Sequence, residues 1–416
     1  MYPNYSKTFL DLEDVFIKNV QHADATMKIF IETRPSEQIC PCCGKRTKRI
    51  HDYRTQKISD APMLGKQVFL ILKKRRYVCS CGKRFYEKYS FLTRYHRRTQ
   101  RLSCLIIHQL RNTYSMTQIA EMTGVSVSVI AKLLDTLNYE APSTLPDALS
   151  IDEFKGNAST GKFQCILVDA KKHKILDILP DRTQNHLIDY WKSYSRHDRL
   201  KVKFFICDMW KPYIELAKIY FPNAQIIIDK YHFIRQVTWA IENVRKRLQR
   251  TMLPHLRKYY KRSRKLILTR YHKLNGENKK ACDLMLQYSD DLRLAHSMKE
   301  WFYDICKMTS YRQQQIEFDK WISNATNCGI KEFEKCAETY RTWRKEILNA
   351  FKYGLTNGPT EGFNNKIKVL KRSSYGIRNF KRFRTRILHC TSKKKWSGYM
   401  EAYLLCPKTP LYRTTH

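Results

Sequence analysis

Residues 149–154 read LSIDEF. A short apolar run between a Pro-punctuated stretch and a glycine reads as a β-strand, and this one delivers a carboxylate, Asp152. Two later stretches repeat the plan. FFICDMW, residues 204–210, is an apolar strand ending in Asp208, and TNGPTEGFNNKIK, residues 356–368, is a Gly/Pro turn leading into a helix that carries Glu361. Two strand-borne aspartates and a helix-borne glutamate are the ligand types of a two-metal phosphoryl-transfer site.

Outward from this stretch the pattern is ordered. ALSIDEF, FQCILVDA and KILDILP are three β-rich runs separated by short turns. Residues 183–194 have helical character, KVKFFICD is a strand buried on both faces, residues 212–220 form a helix, and AQIIID is a fifth strand ending at Asp229. Three strands, helix, strand, helix, strand is the order of an RNase H-like core. In that order the first and fourth strands are parallel neighbours, so Asp152 and Asp208 are expected side by side. A glutamate on the last helix then closes the site. Strand alternation turns Glu153 to the opposite face. Asp229 competes with Asp208 for the second position. With His232 three residues on, it reads as a support for the ligands or as a structural residue. Oxygen ligands alone favour two magnesium or manganese ions.

From residue 232 to residue 351 no strand pattern occurs, and apolar residues recur at helical spacing, as in Val237, Ile241, Val244 and Leu248. This predicts an all-helical insertion (232–351) dividing a mixed-sheet catalytic core (147–231 and 352–400), with a C-terminal tail at 401–416. Residues 243–276 hold 12 Lys or Arg and no acid, and residues 371–395 hold 10, among them Lys371, Arg372 and Arg378. One-sided charge of this kind fits a DNA backbone.

Toward the N-terminus, YEAPSTLPD is a linker. Before it, residues 99–140 read as a helix-turn-helix: Gly124 allows the sharp turn, Ser126 caps the second helix, and Ser126, Ser128 and Lys132 lie near the groove. Arg97 and Arg98, in RYHRRTQR, add phosphate contacts. Residues 1–98 hold a zinc ribbon at about 38–86. CPCCGK and YVCSCGKRF form two knuckles aiming Cys40, Cys43, Cys79 and Cys81 at one structural zinc. The second knuckle is Cys-x-Cys, which leaves the fourth ligand open. Cys42 is expected to be dispensable. The fold class is therefore multidomain α/β, an RNase H-like mixed-sheet core with a helical insertion, preceded by a ribbon and a helix-turn-helix. Residues 1–140 are expected to read DNA.

The chain has 416 residues, enough for roughly two to four domains at about 100–200 residues each. Its formal net charge of +40 repels itself in the compact state, so a polyanion partner is the economical explanation. No apolar run approaches the roughly 18–20 residues of a membrane span, and the first residues lack the layout of a signal peptide. The expectation is a cytoplasmic protein with no membrane partner, whose 14 cysteines are thiols or metal ligands.

Taken together, CPCCG…RRYVCSCGKRF, the helix-turn-helix, SIDEF, CDMWKPY, DKYHF and TNGPTEGFNNKIKVLKRSSYGIRNF resemble a bacterial insertion-sequence DDE transposase of the ISL-three family over nearly the whole chain. The resemblance implies that Asp152, Asp208 and Glu361 are the catalytic triad. It also implies that the protein binds the terminal inverted repeats of an insertion sequence and catalyses metal-dependent strand cleavage and strand transfer. Partners would be double-stranded DNA, at element ends and target, and a second copy of the chain in a dimer or higher oligomer. Two other readings are a sequence-specific regulator with a decayed catalytic domain and a cellular nuclease such as a junction resolvase.

Overall fold

The computed structural model describes residues 12, 15–93, 95–156, 162–262, 264–375 and 377–392. The chain forms two compact units: residues 1–140, 157–159 and 366–416, and residues 141–156 and 160–365. The first unit begins with β1 (Val15–His22), β2 (Thr26–Thr33), β3 (Gln38–Ile39), β4 (Arg46–Thr47), β5 (Ile50–Met63), β6 (Lys66–Val78) and β7 (Arg84–Tyr86). The main sheet has the order β1-β2-β6-β5, with β7 also on β6. Val68, Leu70 and Leu72 of β6 are buried at the period of two that a pleated strand imposes. They pack with Met27, Ile29, Ile31 and Ile58. The strands at β1 and β2, unassigned from sequence, thus complete the sheet that carries the second cysteine knuckle, between β6 and β7, while the first lies between β3 and β4, which pair with each other in a separate two-stranded sheet.

Three helices follow, α1 (Gln100–Gln109), α2 (Met116–Thr123) and α3 (Val127–Asp135). Ser115 and Gln118 form a reciprocal capping box at the start of α2, and Gly124 ends it with φ of +68°. The helices share a core of Leu102, Ile106, Leu110, Ile119, Ile130, Leu133 and Leu134. Ser126 stands at the α3 N-cap position, but its side chain makes no cap hydrogen bond; its Oγ lies 2.9 Å from Ser128 Oγ instead. Asp60, on β5, is buried and ties the start of α1 to the sheet. It accepts from Thr99 Oγ1 at 2.6 Å and Arg101 Nε at 2.7 Å, and a second bond comes from Arg101 Nη2. Asp60→Ala leaves the guanidinium uncompensated and is expected to cost about 3–5 kcal/mol. Urea unfolding of the full chain measures it, and a change near zero would show that Asp60 is not an anchor.

The second unit contains β8 (Ala148–Lys155), β9 (Phe163–Asp169), β10 (Lys174–Leu179), α4 (Gln184–Lys192), α5 (Arg196–Leu200), β11 (Phe204–Cys207), α6 (Lys211–Tyr220), β12 (Gln225–Ile228) and α7 (Lys230–Thr251). The sheet order is β10-β9-β8-β11-β12; β8, β9 and β10 form an antiparallel meander, and β11 runs parallel to both β8 and β12. After α7 come α8 (Pro254–Arg262), α9 (Arg264–Leu268), α10 (Gly276–Gln287), α11 (Asp290–Ile305), α12 (Tyr311–Thr326), α13 (Lys331–Thr342), α14 (Arg344–Tyr353) and α15 (Gly358–Ser373). One apolar core runs from Leu149 and Ile206 in the sheet to Phe302, Trp321 and Tyr340 in the helices. Asn349 of α14 also donates to the Ile226 carbonyl of β12 at 2.8 Å. Several cations of the basic stretch 243–276 are engaged here. Arg245 is buried on Glu242 and Gln249, Arg247 pairs with Asp291 and Glu332, and Arg270 pairs with Glu300 and Asp304.

The second half of α15 and α16 (Phe380–Thr391) belong to the first unit. Arg386 of α16 is buried and donates to the carbonyls of Leu110, Asn112 and Tyr114. His389 meets the Ile107 carbonyl at 2.7 Å and the Tyr139 hydroxyl at 2.6 Å, and Arg382 makes a two-pronged pair with Asp135. The tail at 401–416 lies outside the described residues.

Candidate active site

The pairing of β8 with β11 places Ile206 opposite Ser150. Continued by two residues, the register brings Asp208 level with Asp152. Both leave their strands in the same direction, because the strands are parallel and the offset is even. Asp208 Oδ1 lies 2.9 Å from His232 Nε2, on the first turn of α7. Asp152 accepts from the Glu153 backbone N–H at 2.7 Å and from Asn364 Nδ2 at 2.8 Å. Burial and then the negative charge of Asp208 push the Asp152 carboxyl up to about 7. Burial lifts Asp229 as well. For His232, burial opposes protonation, but the bond to Asp208 and the surrounding carboxylates outweigh it and raise its pKa.

Asp229 has a different role from Asp208. It is the N-cap of α7 and accepts from the Tyr231 N–H at 3.2 Å. Its other oxygen accepts from the Asn357 N–H at 2.8 Å, so both oxygens are held by backbone donors. Glu153 points away, bound by Arg182 at 2.7 Å and the Tyr213 hydroxyl at 2.9 Å.

The helix α15 is fixed on β8 by polar contacts. Ser150 Oγ meets the Asn357 side-chain carbonyl and Thr360 Oγ1, the latter at 2.9 Å. Pro359 sits in the first turn, where its missing N–H costs nothing. Glu361 is exposed in that turn, between Asn357 and Asn364 on the helix surface. Asp152 and Asp208 are brought together, while Asp152, Asp208 and Glu361 do not form a set within 4.8 Å of one another. Asn357, Asn364, Ser150 and Thr360 were not singled out from the sequence; the signal was a polar-rich helix start, TNGPTEGFNN, required to pack against an apolar strand. A cation fits this place on two counts. Three carboxylates face one imidazole, and Asn364 Oδ1 is buried with no donor among the described residues. The carboxylates that could hold it from the sheet are Asp152 and Asp208.

In the first unit, Cys40, Cys43, Cys79 and Cys81 have sulfurs all within 4.8 Å of one another. Cys40 to Cys81 is 3.7 Å and Cys43 to Cys79 is 3.5 Å. A zinc tetrahedron with Zn–S of about 2.3 Å has edges of about 3.8 Å, so the cluster fits a structural zinc. Gly44 and Gly82, with φ of +71° and +82°, let both knuckles turn. The Cys81 backbone N–H helps hold the Cys79 thiol down to about 6, which favours the thiolate that zinc needs. The Cys-x-Cys knuckle therefore supplies the fourth sulfur, and Cys42 is exposed outside the set.

The expected DNA contacts are distributed as follows. Ser126, Ser128 and Lys132 are exposed on α3, and Arg97, Arg372 and Arg378 are exposed. Lys371 is half-buried, and Arg98 is half-buried with its Nε donating to Ser103 Oγ at 3.0 Å. Among the described residues no helix is long and apolar enough to cross a membrane.

A family model described as "Transposase", that of the ISL-three DDE type, matches residues 149–387, more than half of the chain. The chain belongs to the ISL-three family of transposases. A second model, "zinc-finger of transposase IS204/IS1001/IS1096/IS1165", matches residues 36–81 of this transposase and so covers all four clustered cysteines. The transposase is 25% identical over 374 residues to "Transposase for insertion sequence element IS1001" of Bordetella parapertussis, covering 85% of this chain and 89% of that protein. It is 33% identical over 107 residues to an "ATP-dependent protease" of Lactococcus lactis subsp. lactis, covering 26% of this chain and 33% of that one. Residues 156–163 read Gly-x-x-x-x-Gly-Lys-Phe, with Phe163 where a nucleotide-binding loop has Ser or Thr. The stretch joins two antiparallel strands rather than a strand to a helix.

Proposed function

We propose that the β8–β12 sheet is the RNase H-like core of an enzyme that cuts and joins DNA at the terminal inverted repeats of an insertion sequence. Asp152, Asp208 and Glu361 serve there as ligands for two magnesium or manganese ions. What supports this reading is the parallel register of β8 and β11, which carried on past Ile206 and Ser150 points Asp208, just beyond β11, toward Asp152, together with the Asp152 carboxyl raised by burial and by the charge of Asp208. When bound, the ions supply activation of water or a 3′-hydroxyl and stabilisation of the leaving oxygen. The protein's own groups do the positioning. Asn364 and the Glu153 N–H fix the Asp152 carboxylate, His232 orients Asp208, and Asp229 braces the turn before α15 against the start of α7. Glu361, exposed one turn from Asn364, would supply the third carboxylate of the set.

In the first unit, α2 and α3 act as a helix-turn-helix, with Ser126, Ser128 and Lys132 at base edges and Arg97, Arg98, Lys371, Arg372 and Arg378 on phosphates. Joining two ends calls for at least two copies of the chain on DNA, in the bacterial cytoplasm. A supercoiled plasmid carrying the element ends tests the whole reading. Nicking at the ends is expected with magnesium and none with a chelator. End binding without cleavage at any divalent concentration would instead support a DNA-binding regulator.

A further inference from the structure

The helix α7 leaves the active site at once: Asp229 caps it, and His232 on its first turn touches Asp208. Its solvent face carries Tyr231, Arg235 and Trp239, spaced i, i+4, i+8. Tyr231 is 54% and Trp239 46% exposed, while Phe233, Val237 and Ala240 of the same helix are buried in the core. The Arg235 guanidinium bridges them, 5.9 Å from the Tyr231 ring centre and 4.2 Å from that of Trp239. The only acid on α7, Glu242, is buried and bound by Arg245 and Arg264. The exposed face is therefore aromatic, cationic, aromatic, with no negative charge of its own.

We infer that this face is a stacking platform for unpaired nucleotides of the DNA strand that enters or leaves the active site. Flat rings accept any base by its π-face, and a guanidinium between them meets both phosphate and base. Tyr231 and Trp239 are eight helical residues apart, roughly 12 Å, so they meet different bases along the strand rather than the same base. Duplex DNA presents no free base faces and gains nothing from the rings. Its bases become accessible where the strands part beside the scissile phosphate, which is where the helix begins. The inference rests on the proposed catalytic site for its location, and not for its physics.

The full-length protein, without magnesium, is titrated with two probes: a blunt duplex and the same duplex with a short 3′ single-stranded tail carrying 2-aminopurine. The wild type is expected to bind the tailed probe more tightly and to quench the tail. Trp239→Ala is expected to weaken tail binding by about 5- to 100-fold and to leave the blunt duplex unchanged. Trp239→Phe should keep most of the tail affinity, which separates lost stacking from lost folding. If Trp239→Ala and Tyr231→Ala bind the tail as the wild type does, or lose equal affinity for both probes, the platform is overturned. Because binding is read without the metal, a chain that quenches the tail through Trp239 but does not cleave DNA would uphold the platform while refuting the nuclease reading. A chain that cleaves normally but is indifferent to the tail would do the reverse.

Discussion

Replacing Asp152 or Asp208 by Asn is expected to lower DNA cleavage by roughly three orders of magnitude, about 4 kcal/mol in the barrier, and to leave end binding intact or slightly stronger. On the proposed two-metal site an amide oxygen is a poor ligand for a hard dication, so each change would empty a metal position. Each would also remove a negative charge from the side on which the phosphates are proposed to lie. Glu361→Gln should fail nearly as badly. Asp229→Ala is the control: its oxygens hold two backbone N–H groups, so the variant should melt earlier and cleave partially, without a clean loss of metal dependence. Cleavage by Asp208→Asn together with its abolition in Asp229→Ala would show that the fifth strand, not the fourth, faces the cations.

The Asp152 variant carries a second expectation of opposite sign. The folded carboxyl titrates at about 7, above its ordinary value of 3.8. The metal-free wild type therefore loses stability as pH rises from about 4 through 7, because the unfolded chain ionises first. Asp152→Asn escapes that cost. It should be the more stable of the two metal-free proteins at pH 8, by up to about 4 kcal/mol. Denaturant titrations of both proteins at pH 5 and pH 8 decide it, and an unchanged difference would refute the raised carboxyl.

Cys79→Ser is expected to abolish zinc binding, and strong chelation of the wild type should melt the knuckle region with it. The four sulfurs sit at tetrahedral spacing on turns whose own support is slight, since the flanking β3 and β4 have two residues each and the link from the first knuckle to the second runs through Thr47 Oγ1 to the Val78 carbonyl and Val78 N–H to the Arg49 carbonyl. Cys42→Ser should retain full zinc content. Metal analysis of purified variants reads both results. Stoichiometric zinc in Cys79→Ser, or its loss in Cys42→Ser, would reassign the ligands.

The features legible in the sequence were those with local signatures. The knuckles announce themselves by Cys-Gly spacing, and the meander by turns between apolar runs. The Asp152–Asp208 juxtaposition follows from strand order alone. What stayed hidden depended on partners far along the chain. KKRR, residues 73–76, looks like a basic patch, yet Arg75 is buried against Glu32, Thr33 and Glu87. Arg386, in another basic run, serves three carbonyls more than 270 residues upstream. A charged residue reads the same in sequence whether solvated or buried in a pair. For Asp229 the sequence leaves a support for the ligands and a structural role both open, because the choice turns on which backbone N–H groups face its carboxylate.

The docking of α16 against α1 to α3 has a consequence for how the protein is made. At the roughly 5–20 residues per second of translation, about 10–50 s separate synthesis of α3 from synthesis of α16. During that interval the carbonyls of Leu110, Asn112 and Tyr114 have no Arg386, and Asp135 has no Arg382. The first-made helices are finished only by nearly the last-made one. A nascent or prematurely terminated chain therefore carries an incomplete helical bundle, and only a polypeptide that has passed through the whole second unit has it whole. If the bundle is the DNA reader proposed above, ribosomes that stop early release products poorly able to occupy DNA and block the full-length molecules.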